Sequence, residues 1–88
     1  MPSENAIIID IIPEDPNRDI DEVMNEVKNK LPPNCEIKDT KVEPYVYGLK
    51  KIKVMVIVPE EEGLADKIES AISSIEGVDA EIVNITRI

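Results

Sequence analysis

An α+β fold of order β-α-β-β-α-β follows from three observations. Two segments carry apolar residues at helical spacing. Four carry them at strand spacing. Prolines and glycines fall at the joints between them. With 88 residues the chain is expected to be a single domain, 1–88, because a second independent core needs more sequence. Its 42% apolar and 33% charged residues place it among globular rather than disordered chains. Aromatics are limited to two Tyr, so Ile, Val, Leu, Met and Ala must build the core.

The first strand is Ala6–Ile12, where five Ile in seven residues favour β structure. Ile7, Ile9 and Ile11 share one face; Ala6, Ile8, Asp10 and Ile12 share the other. Pro13 to Arg18 reads as a loop, with Asn17 or Asp19 as a helix cap. Ile20, Val23, Met24, Val27 and Leu31 then form one helical stripe. Acids lie early and Lys28 and Lys30 late, matching the helix dipole, and Pro32-Pro33 stops the helix.

A weaker strand starts at Cys35. Ile37 and Val42 are five apart, so unbroken alternation cannot place both on one face, which predicts a bulge or an edge position. Pro44 suits a strand end, and Gly48 marks a tight reversal. Leu49–Val58 is the cleanest strand, with Ile52, Val54, Val56 and Val58 towards the core and Lys51, Lys53, Met55 and Ile57 on an open face. After an acidic turn, Glu60–Gly63, a second stripe holds Leu64, Ile68, Ala71, Ile72 and Ile75, with Gly77 as its stop. The last strand is Val78–Ile88, with Val78, Ala80 and Ile82 on one face and Val83 and Ile85 on the other. Two βαβ units with right-handed crossovers interleave into a ferredoxin-like sandwich: a four-stranded antiparallel sheet with both helices on one face.

Composition removes several functions. There is no His, which excludes His-based proton transfer, His-assisted nucleophiles and His metal ligands. One Cys permits neither an internal disulfide nor a CxxC site. Nineteen acids against ten bases, a net charge of −9, oppose direct contact with nucleic acid or anionic lipid. No uninterrupted apolar run, Ala6 to Ile9 included, approaches the ~20 residues of a membrane span. The N-terminus lacks the features of a signal peptide, and a cytoplasmic location is expected.

The chemistry seen on ferredoxin-like folds narrows the field further. RNA recognition needs aromatics on the central strands, a metallochaperone two thiols in the first loop, and an acylphosphatase-like enzyme a Gly-rich loop bearing Arg. None of these is present. Three glycines, at 48, 63 and 77, supply no phosphate-cradling motif. Glu60, Glu61 and Glu62 read as a solvated helix start rather than a metal cluster, and Cys35 as a small hydrophobe. A small-ligand or oligomerisation module using the open face at Met55 and Ile57 stays available.

One segment stands apart: Pro44-Tyr45-Val46-Tyr47-Gly48-Leu49-Lys50-Lys51-Ile52. Both aromatics lie here beside a Gly turn and two Lys, in an otherwise acidic protein. The plain reading is a hairpin corner. The functional one is an aromatic knob, flanked by positive charge, that inserts into a partner's cleft.

The same residues, with the strand ending Val56-Ile57-Val58-Pro59-Glu60-Glu61-Glu62 and with Ile75-Glu76-Gly77-Val78, resemble the elongation factor 1-beta family in its short archaeal form. The resemblance runs over the whole chain. It implies a ferredoxin-like exchange domain, without the long N-terminal region of eukaryotic relatives, that replaces GDP by GTP on elongation factor 1-alpha without covalent chemistry. GDP, GTP and magnesium would be held by that GTPase, and this chain would bind no cofactor or metal. It would act as a monomer. Tyr47 and Gly48 match the family's P-x-x-[FY]-G motif. Arg87 stands where eukaryotic relatives carry the Lys that reaches the partner's magnesium and phosphate site. A planar guanidinium replacing a compact ammonium is not a neutral change. Lys50 and Lys51 would be supporting contacts.

Overall fold

A computed structural model describes residues 3–88. The elements are β1 (Glu4–Pro13), α1 (Ile20–Lys30), β2 (Glu36–Pro44), a 3-10 turn (Val46–Gly48), β3 (Lys50–Pro59), α2 (Leu64–Ser73) and β4 (Val78–Arg87). The sheet order is β2-β3-β1-β4, and every neighbouring pair is antiparallel. This is the ferredoxin-like sandwich expected from the order of periodicities.

Alternation along β1 and β3 sends Ile7, Ile9, Ile11, Ile52, Val54, Val56 and Val58 to the helix side, where each is essentially inaccessible. Val23, Met24 and Val27 of α1 and Leu64, Ile68 and Ile72 of α2 close over them. The core is wholly aliphatic apart from Met24 and contains no buried charge among the described residues. Ile75 is buried too, but lies beyond the last turn of α2.

Both helix starts follow from local chemistry. Asp19, not Asn17, caps α1: its side chain accepts from the Asp21 backbone N–H at 2.9 Å. Asp21 and Glu22 stand in the first turn and Lys28 and Lys30 in the last. Helix α2 has no side-chain cap and is entered through Gly63 at φ +77°.

Gly77 does not stop α2, which has ended at Ser73. It turns the chain into β4 at φ +73°, and a Cβ there would lie 3.1 Å from Arg18 Nη1. Arg18 donates to the Glu76 carbonyl and to Glu26 Oε2 at 2.9 Å, while the Glu14 N–H donates to the Gly77 carbonyl at 2.8 Å. The loop after β1 is thus fastened to the turn before β4.

Each edge strand contains an irregularity. In β2 the register shifts between Ile37 and Asp39, so Ile37 pairs with Val56 and Val42 with Ile52, both on the helix side. The five-residue offset predicted this. In β4 the shift falls between the partners of Ile8 and Ile9, which pair with Asn84 and Ile82, leaving Val83 as the extra residue. The expectation for the end of β4 is corrected accordingly. Ile85 pairs with Ile7 and joins Val78, Ala80 and Ile82 on the helix side, instead of opposing them.

Candidate functional site

The predicted exchange residues occupy the two ends of the sheet. At one end β2 passes into β3 through the 3-10 turn. The backbone closes it twice: Tyr45 N–H donates to the Leu49 carbonyl at 2.8 Å, and Leu49 N–H to the Val46 carbonyl at 3.1 Å. Reversal in so few residues forces two successive left-handed conformations, at Tyr47 (φ 57°, ψ 31°) and Gly48 (φ 74°). Gly48 adopts this without penalty. Tyr47 does so at a cost of about 1 kcal/mol. Its ring is 95% exposed, against 41% for Tyr45, so no packing offsets that cost. Tyr47 is a strained aromatic held clear of its own protein. Beside the turn a hollow of about 340 Å³ is lined by Val42, Pro44, Tyr45, Gly48 and Leu49.

The two lysines differ. Lys50 is exposed beside the turn. Lys51 is half-buried on the open face, with its Nζ 5.4 Å from the centre of the Tyr45 ring and 3.9 Å from Asp10 Oδ2. Lys53 Nζ stands 3.9 Å from Asp10 Oδ1, an atom that is buried and accepts no hydrogen bond. Lys51 therefore braces Tyr45 against the sheet, and Lys50 is the cation of the pair that faces outwards.

Arg87 lies at the far end. It pairs with Asn5, which itself pairs with Val58 near the end of β3. From Lys50 to Val58 is about 26 Å at the ~3.3 Å rise of a strand, along a molecule whose longest extent is 43 Å. Tyr47 and Arg87 are not brought together. The Arg87 backbone is fixed in β4, and the Ile88 N–H donates to the Glu4 carbonyl at 2.9 Å. Its Nη2 donates to both Glu60 oxygens, at 2.6 and 2.7 Å. Hydrogen bonding from Arg87, aided by its charge, holds the Glu60 carboxyl below the usual glutamate range. Close by, a shallow hollow of about 210 Å³ is lined by Ile7, Val58, Leu64 and Ile85.

Glu60 is the residue sequence reasoning missed. It lies 27 residues from Arg87, and nothing local links the two. Glu61 and Glu62 are exposed, and no group of three or more Cys, Asp or Glu among the described residues is arranged to hold a metal ion. Burial, with the nearby charge of Glu61 second, raises the Cys35 thiol above its ordinary value, so it is not an activated nucleophile. No helix of the described residues is long and apolar enough to cross a membrane.

Comparison with known proteins gives this geometry a context. The chain is 40% identical over 82 residues to elongation factor 1-beta of Methanosphaerula palustris, covering 92% of this chain and 93% of that one. It is 40% identical over 84 residues to elongation factor 1-beta of Metallosphaera sedula, covering 93% and 92%. Among solved structures, the ACT domain from GTP pyrophosphokinase of Chlorobium tepidum superposes with a TM-score of 0.64 over 91% of this chain and 99% of that one. At 13% identity that likeness concerns the fold alone. The family model described as the EF-1 guanine nucleotide exchange domain matches residues 6–88. With the turn, the end of β4 and all of the sheet but Glu4 and Asn5 inside that span, the chain belongs to the EF-1 guanine nucleotide exchange domain family.

Proposed function

We propose that this chain promotes the exchange of GDP for GTP on elongation factor 1-alpha in the cytoplasm, as a monomer and without covalent chemistry. The observation that carries the reading is the family match over residues 6–88. The exposed, strained Tyr47 supports it, because strain on an outward aromatic serves nothing inside the fold. The nucleotide and magnesium belong to the GTPase, held by its phosphate loop.

With the two ends about 26 Å apart, only one can reach a single magnesium and phosphate site. Arg87 carries the charge suited to that site and would compete with the metal or meet the groups it frees. Tyr47 and Gly48, with Lys50 beside them, would grip a separate apolar surface of the same partner. Lys51 would act by steadying Tyr45. Accelerating release about a thousandfold needs roughly 4 kcal/mol of relative barrier lowering. Two interface anchors of about 2 kcal/mol each are of that order. Linkage makes the effect reciprocal: a factor that weakens GDP is itself weakened by GDP.

The test is release of a fluorescent GDP analogue from elongation factor 1-alpha, with substoichiometric protein and excess unlabelled nucleotide. Multiple-turnover acceleration is expected. Tyr47→Ala should slow it at least tenfold without lowering the melting temperature. A folded variant with unchanged exchange would remove Tyr47 from the mechanism. No acceleration by the intact protein would remove the exchange function.

A further inference from the structure

We propose that Glu60 is a positioning residue for exchange: it orients the Arg87 guanidinium so that its remaining donors face the partner. This rests on the exchange reading above and adds a residue to it. Arg87 has a fixed backbone and a long side chain that is 69% exposed. Left alone, such a side chain samples many rotamers and must be ordered on binding. Glu60 supplies that order in advance. Its own backbone is pinned, because the Glu60 N–H donates to the Ser3 carbonyl at 2.8 Å. The carboxylate is thus presented from a fixed point just beyond Pro59.

The geometry of the pair also matters. Both Glu60 oxygens accept from one nitrogen, Nη2. The Nε–H and Nη1 donors of Arg87 engage no protein group among the described residues. A guanidinium offers its donors as a planar fork. Here one corner is anchored and the opposite edge is left open. That edge can meet an anionic group of the partner without giving up Glu60. Of the three successive glutamates only Glu60 is committed to Arg87, which separates its role from a general acidic helix start.

The experiment is a double-mutant cycle read by GDP release: the intact protein, Glu60→Ala, Arg87→Ala and both together, each checked for folding by circular dichroism and thermal melting. Glu60→Gln, which keeps the shape, stands in if Glu60→Ala does not fold. Losing the preordered side chain is expected to lower kcat/KM for exchange about three- to tenfold. In the Arg87→Ala background the same change should do nothing, since Glu60 acts only through Arg87. The Arg87 Nε–H resonance should show greater side-chain mobility in Glu60→Gln.

Exchange unchanged or faster in Glu60→Ala would overturn the proposal. So would an equal loss with and without Arg87. The reversed pair, Glu60→Arg with Arg87→Glu, restores a salt bridge but not the guanidinium at 87. Recovery of exchange there would reduce Glu60 to a structural contact. Failure of the intact protein to accelerate release strikes the exchange reading itself, whereas an active intact protein matched in rate by Glu60→Ala strikes only this inference.

Discussion

Tyr47 separates stability from function. Its left-handed backbone costs about 1 kcal/mol, and its ring packs on nothing. Tyr47→Gly relieves that cost but adds a glycine's backbone entropy to the unfolded chain, so it should leave the fold as stable as before or more stable by up to about 0.5 kcal/mol, a rise in Tm of at most a few degrees, while slowing exchange. A fall in Tm would mean that the ring does pack in solution. Glu60 makes a second residue-level prediction. Its carboxyl is held low in the folded protein, so the pair with Arg87 is present above the ordinary glutamate pKa and is lost as pH falls through the lowered value. In Arg87→Met the Glu60 carboxyl, followed by NMR, should titrate at higher pH. An unmoved midpoint would deny the pair in solution. Neither feature was readable from sequence. A Tyr-Gly pair marks a turn without fixing which residue takes the strain, and Glu60 meets Arg87 only through the sheet register.

Elements were far more legible than contacts. Period-two and period-3.6 patterns located every strand and helix, because one face of each must be buried. The bulge in β2 was readable from the odd spacing of Ile37 and Val42. The same kind of signal, Ile82 followed by Ile85, marks the bulge in β4, but a straight strand with apolar residues on both faces explains it equally well. Gly77 was misplaced because glycine after an apolar stripe reads as a helix stop, and only the fold reveals Arg18 against it. Two substitutions probe that fastening. Gly77→Ala combines an unfavourable φ with a Cβ 3.1 Å from Arg18 Nη1. It should cost about 1–2 kcal/mol. Arg18→Ala should cost about 1 kcal/mol by releasing Glu26 and the Glu76 carbonyl. Urea unfolding measures both, and a neutral Gly77→Ala would mean that the turn relaxes freely.

At the scale of the whole molecule, charge opposes the compact state. A net charge of −9 on 88 residues repels itself, and among the described residues the core holds no ion pair to offset it. Raising ionic strength from about 0.01 to 0.15 M shortens the screening length from about 30 to 8 Å. The melting temperature should rise with it by a few degrees. A fall would show that the surface pairs, Arg18–Glu26 and Arg87–Glu60 among them, outweigh the long-range repulsion.

The two bulges have a further consequence. Strands β2 and β4 are the sheet's outer members, and each offers one side of unsatisfied N–H and C=O groups to the solvent. A flat row of such groups is a template on which another copy could add a strand, and stacked strands grow into fibrils. The misregister breaks that row near the start of β2 and near the middle of β4. Charged Lys38 and Lys41 on one margin and Arg87 on the other discourage an incoming chain further. A protein whose core is almost wholly isoleucine, valine and leucine can thereby stay dispersed at high concentration.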